Sequence, residues 1–528
     1  MRWPLISLLL SLDLHDWRIV MKSSHICNDI LRQYSFCLLS ALTMAIPHKQ
    51  IEQLMTHGNL AQAIKLCRRT CRSRPGNPEA WQALATVQIA AGDFAAAARC
   101  YQRIIDLQPE NCDAHYNLAI ACSRLNRTGE AMTHLYRVIE LDQYYTAAIV
   151  LLAEYCKGLG NYPEAILLLR KGAADNPDNV RINWLLGMCL QDTNELEKAA
   201  EFYAKACHLM RGCGQQPEDF YPTHDPELGD TFKYTASHKL RHDIEQFEYL
   251  IRKGLLPETF ADVVADYRKL LAEQEKVKGP TGIGPLPPTT ASRVNDTYNR
   301  LVYKSTRGCD YDNPLNPGID WQAVLSNYRR NEPGATYVDG LLRSDALQEL
   351  YEFCLESTIW YDFRHDGYVG AYADDGFDCP LLYRVAESLR AAMPELLGSH
   401  PVRYIWAYQY DQHLSGIGMH ADAAAVNVNF WITPDSANLD PDTGGLVVHR
   451  AEAPADWDFD RYNNDADAIR RFLEKENAGV IRIPYRRNRA VIFNSNLFHK
   501  TDDLHFREGF ENRRINITML FGDRDSKN

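Results

Sequence analysis

Two hydrophobic rhythms run along the chain. Between residues 44 and 211 apolar positions recur at helical spacing, in segments broken by short polar turns. A longer period overlies the shorter one. Pro78–Asn111, Cys112–Tyr145 and Thr146–Asn179 are each 34 residues long, and equivalent positions carry equivalent chemistry. Leu84, Leu118, Leu152 and Leu186 share one position, and Ala85, Ala119, Ala153 and Gly187 the next. Ala97, Ala131, Ala165 and Ala199 share a second small one, and Pro109 and Pro177 close two of the units. Small residues let paired helices cross closely and large ones fill the space between units, so the period predicts stacked helix–turn–helix repeats. Counting back one period starts an earlier unit at Met44 with its turn at Gly58-Asn59, which makes about five units over 44–211.

From about residue 330 the rhythm shortens. "GATYVDG" reads as a short strand, followed by an amphipathic helix and then a second helix in "PLLYRVAESLRAAMPELL". Strands follow in "VRYIWAYQYD", "AAVNVNFWITP", "GGLVVH", "GVIRIPY", "RAVIFNS" and "RINITMLFG". Many short strands separated by turn residues predict a sandwich or jelly roll. The segment 451–480, with the helix "DADAIRRFLEKE", reads as an insertion of the kind that forms lids or substrate walls.

Between the halves, 212–290 reads as a Pro/Gly/Asp-rich loop, two helices and a Pro/Gly linker. His238, His242 and Asp243, on the first of these helices, are expected to be solvated or paired with the repeats rather than metal-binding. The predicted order is a leader over 1–43, repeats over 44–211, this connector, and a final domain over 291–528 with its core at about 330–524.

At 528 residues the chain is expected to hold several domains, and its 45% hydrophobic and 24% charged residues are ordinary for a soluble globular protein. A net charge of −12 argues against nucleic acid as a partner, though it is compatible with a local basic patch. The 14 cysteines form no CxxC pair and no zinc-type framework, which points to reduced thiols and a cytoplasmic location. Cys67 and Cys71, four apart on a helix, read as small core residues. "WPLISLLLSL" is too short to span a bilayer, and no other segment is apolar enough to do so. Arg2 precedes that run, but Asp13, His15 and Asp16 follow and no small-x-small cleavage site appears. The leader is therefore expected to be disordered or outside the natural chain, with Met44 as the natural start.

Candidate chemistry concentrates in the second half. His420 and Asp422 stand just before a strand, where residues i and i+2 project to one face and can meet one ion. His499 ends "NRAVIFNSNLFH", past another strand. Two histidines and one carboxylate on one face leave the open positions of a facial triad, the arrangement of non-haem Fe(II) oxygenases. His505 is the rival for the distal position; His413 and His449 lie in a loop and after the Gly-Gly strand. Asn427, Asn429 and Trp431 share one face of the strand after the acid and read as the wall of a cofactor pocket, because buried asparagines need partners. Tyr408 and Tyr410 share a face ten or so residues earlier. Alternation sets Arg514 with Asn516 and Thr518 on a polar face, and Arg513 with Ile515, Ile517 and Met519 on the other.

The first half resembles tetratricopeptide repeats. The second, over about 330–524, resembles the 2-oxoglutarate- and Fe(II)-dependent oxygenase superfamily near its prolyl-hydroxylase-like branch. The resemblance rests on His420-Ala421-Asp422, Gly444-Gly445 in "PDTGGLVV", His499, and Arg513-Arg514 in "NRRINITMLFG", in that order. It implies a multidomain protein: an all-α repeat solenoid followed by an α+β double-stranded β-helix, or jelly-roll, oxygenase domain. It implies Fe(II) held by His420, Asp422 and His499, with 2-oxoglutarate as cosubstrate and ascorbate as a further cofactor. The far carboxylate of 2-oxoglutarate needs a basic residue, for which a permanently charged, bidentate arginine is suited. Arg513 and Arg514 compete for that role, the polar face favouring Arg514, and Tyr410 is a candidate donor beside it. The implied reaction is hydroxylation coupled to decarboxylation of the cosubstrate to succinate and CO2. Three readings stay open for the whole chain. They are a hydroxylase of a protein or peptide recruited by the repeats, a small-molecule oxygenase whose repeats serve assembly, and a repeat-based adaptor with an inactive oxygenase fold.

Overall fold

The computed structural model describes residues 46–212, 231–279, 282–287, 292–306, 311–364, 367–410 and 416–524. The expected leader, most of the 212–236 loop and His413 lie outside the described residues. The chain divides into two compact units, Met1–Pro177 and Asp178–Asn528.

The first unit is a run of helix–turn–helix pairs: α1 (His48–Thr56) with α2 (Leu60–Ser73), α3 (Pro78–Ala90) with α4 (Phe94–Leu107), α5 (Cys112–Arg124) with α6 (Thr128–Leu141), and α7 (Thr146–Gly158) with α8 (Tyr162–Asp175). The turns show why the period exists. Gly58, Gly92, Asn126 and Gly160, 34 residues apart, adopt φ of 74°, 75°, 58° and 74°, where glycine and asparagine are the residues that fit without strain. Ala63, Ala97, Ala131 and Ala165 are wholly buried just beyond. Asn77 and Asn111 cap α3 and α5 by accepting from Glu79 N and Ala114 N at 2.9 Å. Cys67 and Cys71 lie in the interior, where burial pushes their thiols up to about 12 and 11, far from the reactive range.

The second unit opens with a fifth pair, α9 (Val180–Asp192) and α10 (Leu196–Arg211). The period continues through it, with Asn194 at φ 70°. The buried polar groups of this pair are satisfied from much later in the chain. Arg211, 1% exposed, makes two 2.5 Å bonds to the Asp375 carboxylate. Trp184 Nε1 donates to Asp374 at 3.2 Å, Gln191 Nε2 to the Arg403 carbonyl at 2.6 Å, and Arg403 to Asp192 at 2.5 Å.

The predicted connector is also part of this unit. Strand β1 (Tyr234–Ala236), helices α11 (Ser237–Arg252) and α12 (Ala261–Lys278), and strand β2 (Ile283–Pro285) follow one another, with β1 and β2 paired antiparallel. Leu240, Ile244, Phe247 and Leu250 of α11 enter the main core. His238, His242 and Asp243 are accordingly buried rather than solvated. His242 packs on Trp360 and Phe510, and Asp243 pairs with Lys239 of its own helix at 2.5 Å.

The β-rich part comprises α13 (Trp321–Arg330), β3 (Ala335–Asp339), α14 (Ser344–Glu356), β4 (Asp362–Phe363), β5 (Tyr368–Tyr372), α15 (Pro380–Ala392), β6 (Val402–Tyr410), β7 (Val426–Trp431), β8 (Leu446–Glu452), α16 (Ala466–Glu476), β9 (Val480–Ile483), β10 (Arg489–Asn494), β11 (Leu497–Thr501) and β12 (Ile515–Phe521). Seven strands form a sheet in the order β3-β10-β7-β12-β6-β5-β4, and three form another in the order β11-β8-β9; all these pairings are antiparallel. In the large sheet, Ile515, Ile517 and Met519 of β12 share an apolar face with Val428 and Phe430 of β7, buried in the core that also holds α11 and α14. The other face is polar and aromatic: register sets Asn516 between Trp431 and Tyr408, and Thr518 between Asn429 and Trp406. The small sheet packs against that face, where Leu446, Val448, Ile483 and Leu497 cluster with Trp431, Val491 and Phe493.

Candidate metal centre

The polar face carries the His-x-Asp site. His420 is bridged to His499 by a pair of backbone hydrogen bonds, His420 N to His499 O at 3.0 Å and the reverse at 2.8 Å. That pairing puts residues far apart in sequence side by side, with ring centroids 4.3 Å apart. Asp422 joins them through its backbone N–H on the Ser495 carbonyl at 3.1 Å. One ligand atom from each of His420, Asp422 and His499 lies within 4.8 Å of the other two, the only such group among the described residues. His420 Nε2 stands 3.7 Å from Asp422 Oδ1, and His499 Nε2 3.4 Å from Asp422 Oδ2.

Hydrogen bonding fixes the tautomers. His420 Nδ1 lies 2.9 Å from the Gly418 carbonyl and His499 Nδ1 2.9 Å from that of Leu497. A carbonyl only accepts, so each Nδ1 carries a proton, and each ring turns its Nε2 toward Asp422. Burial, reinforced by His499, pushes the His420 pKa down to about 4, so the His420 ring is neutral at neutral pH. Burial alone would raise the Asp422 carboxyl; His499 first, with His420 and Asn427, outweighs it and holds the group below the usual carboxylate range. The donor set suits a divalent first-row metal. His505 is exposed in a loop, and neither it nor His449 belongs to the cluster.

The two arginines separate cleanly. Arg513 Nε donates to Glu245 of α11 at 2.8 Å, on the apolar side of the sheet. Arg514 is buried on the polar side, with Nε on the Gly444 carbonyl at 2.8 Å and Nη2 on that of Gly445 at 3.2 Å. Its Nη1 is buried without a hydrogen-bond partner, and among the described residues no carboxylate forms an ion pair with it. Asp502, whose charge reaches it, is paired with Arg482 at 2.7 Å. The Tyr410 ring lies 4.9 Å from the guanidinium and that of Trp431 5.4 Å. A buried cation with no counter-charge is costly, so this environment fits an anion that binds there.

Asn427 and Asn429 do line this face, in different roles. Asn427 Nδ2 donates to Asp422 Oδ2 at 2.7 Å, so its amide N–H serves a metal-ligand candidate rather than a cosubstrate. Asn429 Nδ2 donates to Thr518 at 3.1 Å. The Oδ1 atoms of Asn427, Asn429 and Asn516, with Trp431 Nε1 and Ser495 Oγ, are buried and without protein partners, a set of orphaned groups that a polar ligand or water can satisfy. Tyr410 is buried with its hydroxyl 3.4 Å from Thr501 Oγ1. Sequence reasoning missed Ser495, which no pattern marks, and the service of the Gly-Gly carbonyls to Arg514. Gly445 admits no side chain: a Cβ there would stand 1.9 Å from the Ile483 carbonyl.

A tetratricopeptide-repeat family model matches residues 83–146 and 152–217. No curated protein matches the chain. Among solved structures it is similar to MamA of Desulfovibrio magneticus RS-1, with 18% identity over 31% of this chain and 92% of that one and a TM-score of 0.29. It is similar to PilF of Pseudomonas aeruginosa, with 19% identity, 32% and 75% coverage and a TM-score of 0.27. YrrB, a tetratricopeptide-repeat protein with an unusual peptide-binding site, shares 19% identity over 30% of this chain and 82% of that one, with a TM-score of 0.27. The N-terminal helices are thus tetratricopeptide repeats, an array that offers a surface to a protein or peptide partner. Among the described residues, no helix is long and apolar enough to cross a membrane.

Proposed function

We propose that the protein is an Fe(II)- and 2-oxoglutarate-dependent dioxygenase that hydroxylates a protein or peptide held by its repeats, its two antiparallel sheets being the jelly roll of that superfamily. One observation carries the reading: a two-histidine, one-carboxylate cluster shares a sheet face with a buried arginine that has no carboxylate partner among the described residues. When bound, iron(II) with 2-oxoglutarate and dioxygen supplies the oxidation, converting the cosubstrate to succinate and CO2 and a substrate C–H to C–OH. The chain holds and shields. His420 and His499 offer Nε2 lone pairs already aimed by the Gly418 and Leu497 carbonyls. Asp422 stays anionic under the Asn427 amide. Arg514 receives the remote carboxylate of the cosubstrate through the donor it has free, while Tyr410 and Trp431 flank the cation and exclude water.

The test begins anaerobically. Fe(II) and 2-oxoglutarate added to the full chain are expected to give a weak visible charge-transfer band, and admission of oxygen to give succinate. Folded protein that yields neither band nor succinate would overturn the reading. The alternative is a repeat-based adaptor, supported by a family match that reaches only the repeats. It predicts no succinate, and partner binding that survives His420→Ala.

A further inference from the structure

We infer that the insertion after β8 is a strap that sets the geometry of the metal site, with Asn463 as its positioning residue, so that metal binding and order in the strap are linked. The inference rests on the reading of His420, Asp422 and His499 as ligands. In extended chain the neighbours of a ligand face away from the metal, and the strap holds those neighbours. The Ala421 N–H donates to the Tyr462 carbonyl at 3.1 Å, and Asn463 Nδ2 donates to the Ala421 carbonyl at 2.9 Å. Consecutive strap residues therefore grip both peptide groups between His420 and Asp422. Neither peptide plane can turn without breaking one of these bonds, and turning either would swing one ligand away from the other.

The distal ligand is held in the same way. Phe498, which precedes His499, is buried with Ala421, Ala453, Tyr462 and Ile469 in one apolar cluster. The rings of Trp457 and Phe472 lie 6.1 and 5.8 Å from it. Tyr462 is pinned from outside by the Arg524 guanidinium, 3.9 Å from its ring, whose Nη2 donates to the Ala453 and Pro454 carbonyls at 2.9 and 3.0 Å. Tyr462 and Asn463 sit in a single π-helical turn, Asp460–Asn464, a conformation that is rare and frequently found at functional sites. Linkage is reciprocal: if the strap orders the ligands, the metal orders the strap, and whatever grips the strap changes metal affinity by the same factor.

Mn(II) titration of the metal-free full chain tests this without turnover. Asn463→Ala is expected to bind Mn(II) about 10-fold more weakly, the scale of losing a group that orients a ligand, with the Co(II) visible spectrum altered and the melting temperature of the metal-free protein little changed. In the wild type, saturating Mn(II) is expected to slow amide exchange across 458–473, a readout that stands even if the variant fails to fold. Unchanged Mn(II) affinity in a folded Asn463→Ala, or a strap whose exchange ignores the metal, would overturn the inference. A wild type that binds no Mn(II) at all removes the metal site itself and the strap's role with it.

Discussion

Asn427 Nδ2 lies 2.7 Å from Asp422 Oδ2, the carboxylate oxygen that also stands 3.4 Å from His499 Nε2. One amide at the centre of the large sheet thus occupies a lone pair of the acid and leaves Oδ1, on the His420 side, less encumbered. Asn427→Ala is expected to fold, at a cost of about 1–3 kcal/mol for the carboxylate it leaves short of a donor, and to weaken Mn(II) binding by roughly 10–100-fold. Metal titration alongside chemical unfolding checks both figures; full metal affinity in the variant would show that the amide does not orient the acid.

Arg514 and Arg513 are predicted to behave oppositely. Arg514→Met removes a buried cation without a counter-charge, so the metal-free protein is expected to be nearly as stable as wild type. Its 2-oxoglutarate affinity is expected to fall by about 2–5 kcal/mol, the range for truncating one side of a buried charge pair. Arg513→Met breaks the bond to Glu245, which is partly exposed, and is expected to cost about 1–3 kcal/mol of stability with little effect on cosubstrate binding. Thermal melts with and without 2-oxoglutarate separate the two, and the reverse pattern would reassign the anchor to Arg513.

The compact units predict where the chain can be cut. A fragment 178–528 is expected to fold cooperatively and to keep succinate formation while losing partners bound by the first four helix pairs. A fragment 212–528 discards Arg211 and leaves Asp375 buried and unpaired, a loss of about 3–5 kcal/mol, and strips Leu196, Ala200 and Cys207 from the main core. Limited proteolysis of the two fragments decides the matter; equal resistance would place the boundary after the fifth pair.

Stability is expected to fall as pH drops below about 6.5, the pKa of an unfolded histidine. His420, with its pKa at about 4, stays neutral in the metal-free folded state while the unfolded chain takes up the proton. The unfolded state then binds more protons, so the loss is about 1 kcal/mol per pH unit from 6.5 to 4 and none above that window. His242, lowered by burial, acts in the same sense. Asp243 and Asp422, held below the usual range, add losses only near pH 4 and below. Urea denaturation at pH 7.5 and 5.5 with chelator present measures the slope, which His420→Gln should flatten. Greater stability at pH 5.5 would contradict the assignment.

Much of the architecture could be read directly. The 34-residue period marked the turn at Gly58, and the structure repeats it at Gly92, Asn126 and Gly160, because a left-handed turn selects residue type locally. Seven of the strands stood out by composition. Strands β4, β5 and β11 did not: the first two are very short or buried on both faces, and β11 begins just after β10 and reads as its continuation. His499, read as lying just past a strand, therefore lies within a further one, paired with Val448.

The sequence by itself determined the repeat register, the strand alternation and so which residues share a face: His420 with Asp422, and Arg514 with Asn516 and Thr518. These are consequences of backbone periodicity, which each segment carries within itself. Only the tertiary structure decided the rest. It brought His499 beside His420, gave Arg513 a carboxylate and left Arg514 without one among the described residues, turned the Asn427 amide onto Asp422, and drew α9 and α10 into the β-rich unit. Each depends on burial and on a partner distant in the chain, and no local pattern encodes where a buried polar group finds its partner.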